Sequence, residues 1–71
     1  MMPNPANEQV TVMSSYRIYR IELFALSGER VKQVHVDGIA SRFDISDLPR
    51  GIYIVRTFTS HGVSTKKLVV N

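Results

Sequence analysis

Arg17-Ile18-Tyr19-Arg20-Ile21-Glu22-Leu23-Phe24-Ala25-Leu26-Ser27-Gly28-Glu29 is the stretch on which helix and strand compete most closely. Ile21, Leu23 and Ala25 alternate with Arg20, Glu22 and Phe24, the period of two that marks a half-buried strand. Helix is the rival. It loses because Ser27-Gly28 follows at once, and then Val34 and Val36 alternate with Gln33, His35 and Asp37, so that the whole stretch reads as a hairpin turning at Ser27-Gly28-Glu29.

Outward from that hairpin the pattern stays strand-like. Val10 and Val12 alternate with Gln9, Thr11 and Met13, predicting a first strand near residues 8–13, before the hairpin strand over 17–26. Downstream, Asp37-Gly38 reads as a second loop, and Phe43 and Ile45 alternate with Arg42, Asp44 and Ser46 in a short strand with one buried face. Leu48-Pro49-Arg50-Gly51 places proline where a type I or II turn wants a preset φ and glycine at its fourth position, so the chain must reverse there. Residues 52–59 form the most apolar strand, with Tyr53, Val55 and Thr57 on one side and Ile52, Ile54 and Phe58 on the other, and are placed centrally in a sheet. Ser60-His61-Gly62 is a further hairpin turn, and residues 63–70 return as the last strand with Leu68 and Val70 on one face. The expected fold is all-β, an immunoglobulin-like antiparallel β-sandwich of six to seven short strands, with a small barrel as the alternative.

Size and composition narrow the function. A chain of 71 residues is one domain, and it buries only roughly 60% of its unfolded surface. It has no cysteine and two histidines, His35 and His61, too few for a structural zinc site, so the apolar core must suffice and no cofactor or metal is expected. The absence of cysteine fits a reducing cytosol and a disulfide-free exported domain equally. There is no apolar run of membrane-spanning length and no N-terminal export signal, so no direct membrane insertion is expected. The net charge of +3 is spread along the chain, and only Lys66 and Lys67 adjoin.

Four features, in order along the chain, resemble one family. They are Pro3-Asn4-Pro5-Ala6; Ile21-Glu22-Leu23-Phe24-Ala25-Leu26-Ser27-Gly28-Glu29-Arg30-Val31; Ile45-Ser46-Asp47-Leu48-Pro49-Arg50-Gly51-Ile52-Tyr53-Ile54-Val55-Arg56; and Thr65-Lys66-Lys67-Leu68-Val69-Val70. Together they resemble the type A C-terminal sorting domain of the type IX (Por) secretion system. Two positions depart from the pattern: Met2 stands where an aromatic or aliphatic residue is usual, and Ala25 where an aspartate is common.

The resemblance implies a C-terminal secretion signal. It directs attached cargo from the periplasm through the outer-membrane translocon, with shuttle proteins as further partners, toward the cell surface or the extracellular space. A sortase-like cysteine protease then cuts upstream and the domain is released. Residues 1–7 are expected to be the end of a linker from the N-terminally fused cargo, and residues 8–71 the sorting domain. The residues expected to meet the secretion machinery are Lys66, Lys67, Leu68, Val69 and Val70, the last strand docking by β-augmentation. Gly28, Leu48, Pro49, Gly51 and Tyr53 form the structural motif. An exposed edge strand also allows a dimer.

Simpler readings stand beside these. Tyr53 is expected in the core, its hydroxyl bonded to a nearby backbone carbonyl as in a tyrosine corner. Gly28, Pro49 and Gly51 read as turn residues, Arg50 as solvated surface, and Lys66 and Lys67 equally as guards of an edge strand against aggregation. The serines lie in turns and strand edges without nucleophile-elbow glycines, and Glu8, Glu22, Glu29, Asp37, Asp44 and Asp47 sit on different elements, so an enzyme is not expected. Tyr16, Tyr19, Phe24 and Phe58 share no exposed face with the arginines, so no nucleic-acid partner is expected. The runner-up function is a generic immunoglobulin-like or fibronectin-like adhesion or spacer module.

Overall fold

The computed structural model describes residues 1–2 and 8–71. The Pro3-Asn4-Pro5-Ala6 motif and most of the expected linker therefore lie outside the described residues. Among the described residues the chain forms four strands, β1 (Gln9–Ala25), β2 (Arg30–Asp44), β3 (Gly51–Thr59) and β4 (Gly62–Val70). They build one antiparallel sheet in the order β2-β1-β3-β4. The stretch where helix competed is strand: Ile21 and Leu23 are fully buried, and β3 occupies one of the two interior positions of the sheet.

Among the described residues the strands number four, not six to seven, because two expected breaks are bulge-like irregularities of register rather than loops. Asp37-Gly38 is not a connection but lies inside β2, where Gly38 pairs with Ile18. On β1 the register jumps between Met13, opposite Ala40, and Ile18, opposite Gly38. Four residues on β1 thus face one on β2, and hydrogen bonding resumes on the far side of the bulge. A bulge bends and over-twists its strand without ending it. The bend is large: at roughly 3.3 Å per residue a straight strand of β1's length would run about 56 Å, whereas the longest extent of the molecule is 30 Å. The described residues accordingly form not two separate facing sheets but one sheet bent over on itself.

That bend closes the core. Val10 and Val12, on the first part of β1, join Phe43 and Ile45 in the same apolar cluster as Leu23, Val55 and Leu68 from the rest of the sheet. Val12 and Met13 share a small cleft with Val55 and Thr57 of β3. Each fully buried Leu, Ile or Val contributes about 1.5–3 kcal/mol relative to exposure, and in a chain this short each such side chain matters.

The turns follow local chemistry. At the β1–β2 hairpin the amide of Gly28 donates to the carbonyl of Ala25 at 2.9 Å, and the amide of Ala25 donates to the carbonyl of Glu29 at 2.9 Å. Gly28 has φ +94°, a conformation that costs other residues about 1–2 kcal/mol. The β3–β4 hairpin pairs Thr59 with Gly62 across a two-residue loop, Ser60-His61, and Gly62 takes φ +116°.

Candidate recognition surface

The segment between β2 and β3 is built around two side chains that hold backbone. Its hydrogen-bonded reversal is Ile45–Leu48, three residues earlier than the expected turn at Leu48-Pro49-Arg50-Gly51: the amide of Leu48 donates to the carbonyl of Ile45 at 3.0 Å. Asp44 fixes it by accepting the Ser46 amide at 2.9 Å and the Ser46 hydroxyl at 3.0 Å, an Asx-type cap that competes well with a plain turn. Those two bonds from Ser46, backbone first, hold the Asp44 carboxyl below its ordinary value. Lys32 reaches Asp47 at 3.3 Å. Leu48 packs against the core, Pro49 and Arg50 are exposed, and Gly51 opens β3. The buried Tyr53 donates its hydroxyl to the carbonyl of Pro49 at 2.6 Å, which is the tyrosine-corner arrangement expected of it.

The final strand distributes its side chains by strict alternation. Leu68 is 0% and Val70 2% exposed, both in the core, while Val69 is half-buried and Lys66 and Lys67 are exposed. Successive strand residues point to opposite faces. Lys66 lies near Val12 and Val55 at the rim of the inner cleft, and Lys67 pairs in register with Ile54 on the other face. The two lysines therefore do not form one charged patch, although they adjoin in sequence. The strand is nevertheless outermost among the described residues, and its run from Gly62 to Lys67 is exposed.

A second surface was not signalled by any motif. On the face of the sheet opposite the core, register sets Arg20 across from Phe58, Glu22 across from Arg56 and Phe24 across from Ile54. Glu22, a buried side chain, accepts from Arg30 at 3.1 Å and Arg20 at 3.4 Å, and the Arg20 guanidinium lies 3.8 Å over the Phe58 ring. Arginine and aromatic positions do share a face, contrary to the reading from sequence. The cue was present in the alternation itself, since Arg20, Glu22 and Phe24 occupy the off-core positions of β1 and Arg56 and Phe58 include the off-core positions of β3 adjoining them.

The titratable groups are dispersed. His35 is exposed on β2, and His61 at the hairpin tip stacks on Tyr16 with ring centroids 3.6 Å apart. Arg17 pairs with Asp37 at the surface. Among the described residues no three His, Cys, Asp or Glu side chains converge in a way that would hold a metal ion, and no helix is long and apolar enough to cross a membrane.

Compared with known families, the chain matches the model for the secretion system C-terminal sorting domain over residues 1–71. No curated protein and no solved structure matches the chain.

Proposed function

From the premise that the chain belongs to the secretion system C-terminal sorting domain family and is a type IX secretion sorting signal, we propose that it is recognised by the outer-membrane translocon and its shuttle proteins while its cargo is in transit through the periplasm. The family is one of sorting signals, not catalysts, and its role implies export toward the outer membrane and the cell surface or extracellular space. The observation that carries the reading is the extent of the match, which takes in every residue of the chain.

In this reading a sortase-like cysteine protease cuts upstream and the domain itself performs no chemistry. On this reading the domain spans residues 8–71 and residues 1–7 end the linker, of which Met2 exchanges backbone hydrogen bonds with Thr11 at 2.9 and 2.7 Å. The bend that lays Val12 beside Val55 supports a two-layer, immunoglobulin-like reading of the single sheet. Recognition runs through β4, whose exposed part over residues 62–66 lies at the outside of the sheet and offers backbone to an added strand. Leu68 and Val70 act by anchoring that strand from within, Lys66, Lys67 and Val69 by lining it, and the same edge is where a second copy would pair.

The test is to fuse residues 1–71 to a fluorescent periplasmic reporter in a host with type IX secretion. The expected result is reporter at the cell surface or in the medium. Reporter retained in the periplasm of a secretion-competent host would overturn the assignment of this chain as a sorting signal.

A further inference from the structure

We propose that the solvent face of the sheet, across β1, β3 and β4, docks a protein surface on which carboxylates alternate with aliphatic side chains. This rests on the reading that a partner protein recognises the domain, and it names the chemistry of that partner. The positions on this face alternate with the core positions Leu23, Val55 and Leu68, so they point away from the interior. Arg20 and Arg56 contribute two positive charges there, and Arg30 adds a third from the start of the neighbouring β2, opposite Phe24. Glu22 is the carboxylate among them, and it is buried against Arg20 and Arg30.

The other strand-borne acids lie elsewhere. Asp37 and Asp44 are on β2, paired with Arg17 and with the Ser46 backbone, and Asp47 in the following connection pairs with Lys32. The charge of the chain is thus segregated, and the outward face of β1 and β3 keeps a positive excess that complements an acidic partner.

The arrangement also distinguishes among anionic partners. The Arg20 guanidinium covers the Phe58 ring at 3.8 Å, and that of Arg56 lies 5.5 Å from Phe58 and 6.0 Å from Phe24. These rings hold the arginines in place before any partner arrives, which lowers the ordering cost of binding. The Phe58 ring, already covered by a guanidinium group, is a poor platform for stacked bases and a poor wedge for a lipid surface. Beside them Ile52 and Val63 are 42% and 49% exposed, and such aliphatic side chains suit a protein surface better than a sulfated sugar.

The experiment has a binding arm and an export arm. The isotope-labelled chain is titrated with a short soluble peptide alternating glutamate and valine, with a sulfated oligosaccharide, and with phosphatidylglycerol vesicles, while backbone amide resonances are followed. The expected result is saturable shifts at Glu22, Arg56 and Phe58 with the peptide, weakened about tenfold by Arg56→Glu and largely retained by Arg56→Lys. Absence of saturable shifts with the peptide, shifts confined to β2, or tighter binding of the oligosaccharide or vesicles would overturn the proposal.

In the export arm, Arg56→Glu in the reporter fusion is expected to lower surface delivery about tenfold, and Arg56→Lys to restore it, with Arg56→Gln as a milder variant should the reversed charge alter the urea midpoint. Wild-type fusion that stays in the periplasm would remove the sorting reading itself. Wild-type fusion that is exported, with Arg56→Glu and Arg56→Gln exported equally well, would remove only the docking face.

Discussion

Tyr53 and Pro49 are joined by a 2.6 Å hydrogen bond from the phenol to the backbone carbonyl, so the first buried ring of β3 holds the connection that delivers it. Pro49 fixes its own φ and has no N–H to donate, so its carbonyl is the one backbone group by which this residue can be hydrogen-bonded. Tyr53→Phe keeps the ring in the core and removes the bond. The expected cost is about 1 kcal/mol, seen as a lower urea midpoint at unchanged slope. An unchanged midpoint would mean that the bond contributes nothing beyond what water supplies to the free carbonyl.

Gly28 isolates backbone strain from packing. Its φ is +94° and nothing lies within 4 Å of where a side chain would begin, so a substitution there meets open space but an unfavourable conformation. Gly28→Val is expected to cost about 1–3 kcal/mol, and Gly28→Asn less, because asparagine tolerates this region. Thermal denaturation of both variants checks the order. Equal melting temperatures would show that the turn relaxes to another type.

Tyr53 and Gly28 were legible because each sits where short-range pattern meets a simple constraint: an aromatic at a core position beside a turn, and a glycine between two alternating runs. The same rules set Val10, Leu23, Val55 and Leu68 on alternating faces, and those are the faces that the fold buries. They failed at Asp37-Gly38, because turn chemistry is identical whether the chain reverses or merely kinks. Which occurs depends on whether the partner strand continues, a long-range fact. The β1 segment between Met13 and Ile18 misled for the same reason. The Arg20, Glu22 and Arg56 constellation escaped because it depends on register across β1 and β3, which no local motif encodes, and the adjacency of Lys66 and Lys67 overstated their cooperation because alternation sends them to opposite faces.

Asp44 gives the fold an acid-sensitive turn. Its carboxyl is held below the ordinary carboxylate value by the amide and hydroxyl of Ser46. A group that titrates lower in the folded chain than in the unfolded one contributes its stability above the unfolded pKa and loses it as pH falls through the folded value. Asp44→Asn retains an oxygen acceptor for the Ser46 amide but does not titrate. Its stability is therefore expected to stay flatter than that of the wild type across the acid range below the ordinary aspartate pKa, with little difference at neutral pH. Parallel stability curves for the two proteins through that acid range would show that Asp44 is not the group responsible.

Glu22 ties Arg20 and Arg30 together on the outward face. Its side chain is 10% exposed, whereas those of Arg20 and Arg30 are 42% and 52% exposed, so solvent screens the arginine ends of both pairs. A double-mutant cycle of Glu22→Gln with Arg30→Gln is expected to give a coupling of about 0.5–1 kcal/mol. Molar salt should lower it, because screening then acts within about 3 Å. A coupling unaffected by salt would mean that hydrogen-bond geometry rather than charge holds the pair.

Leu68 and Lys66 separate anchoring from recognition within β4. Leu68 is fully buried and packs with the core of the bent sheet, whereas Lys66 is exposed. Leu68→Ala is expected to cost about 2–5 kcal/mol through lost contacts and an unfilled cavity, a large share of the stability of so small a domain. Lys66→Ala should change stability by less than about 0.5 kcal/mol. Export of a fused reporter then divides the possibilities. If β4 serves recognition through its exposed side, Lys66→Glu lowers surface delivery while the urea midpoint stays put. If the strand matters only as part of the fold, delivery follows the midpoint, falling with Leu68→Ala and remaining at wild-type level with Lys66→Glu, and the assignment of Lys66 to recognition is then lost.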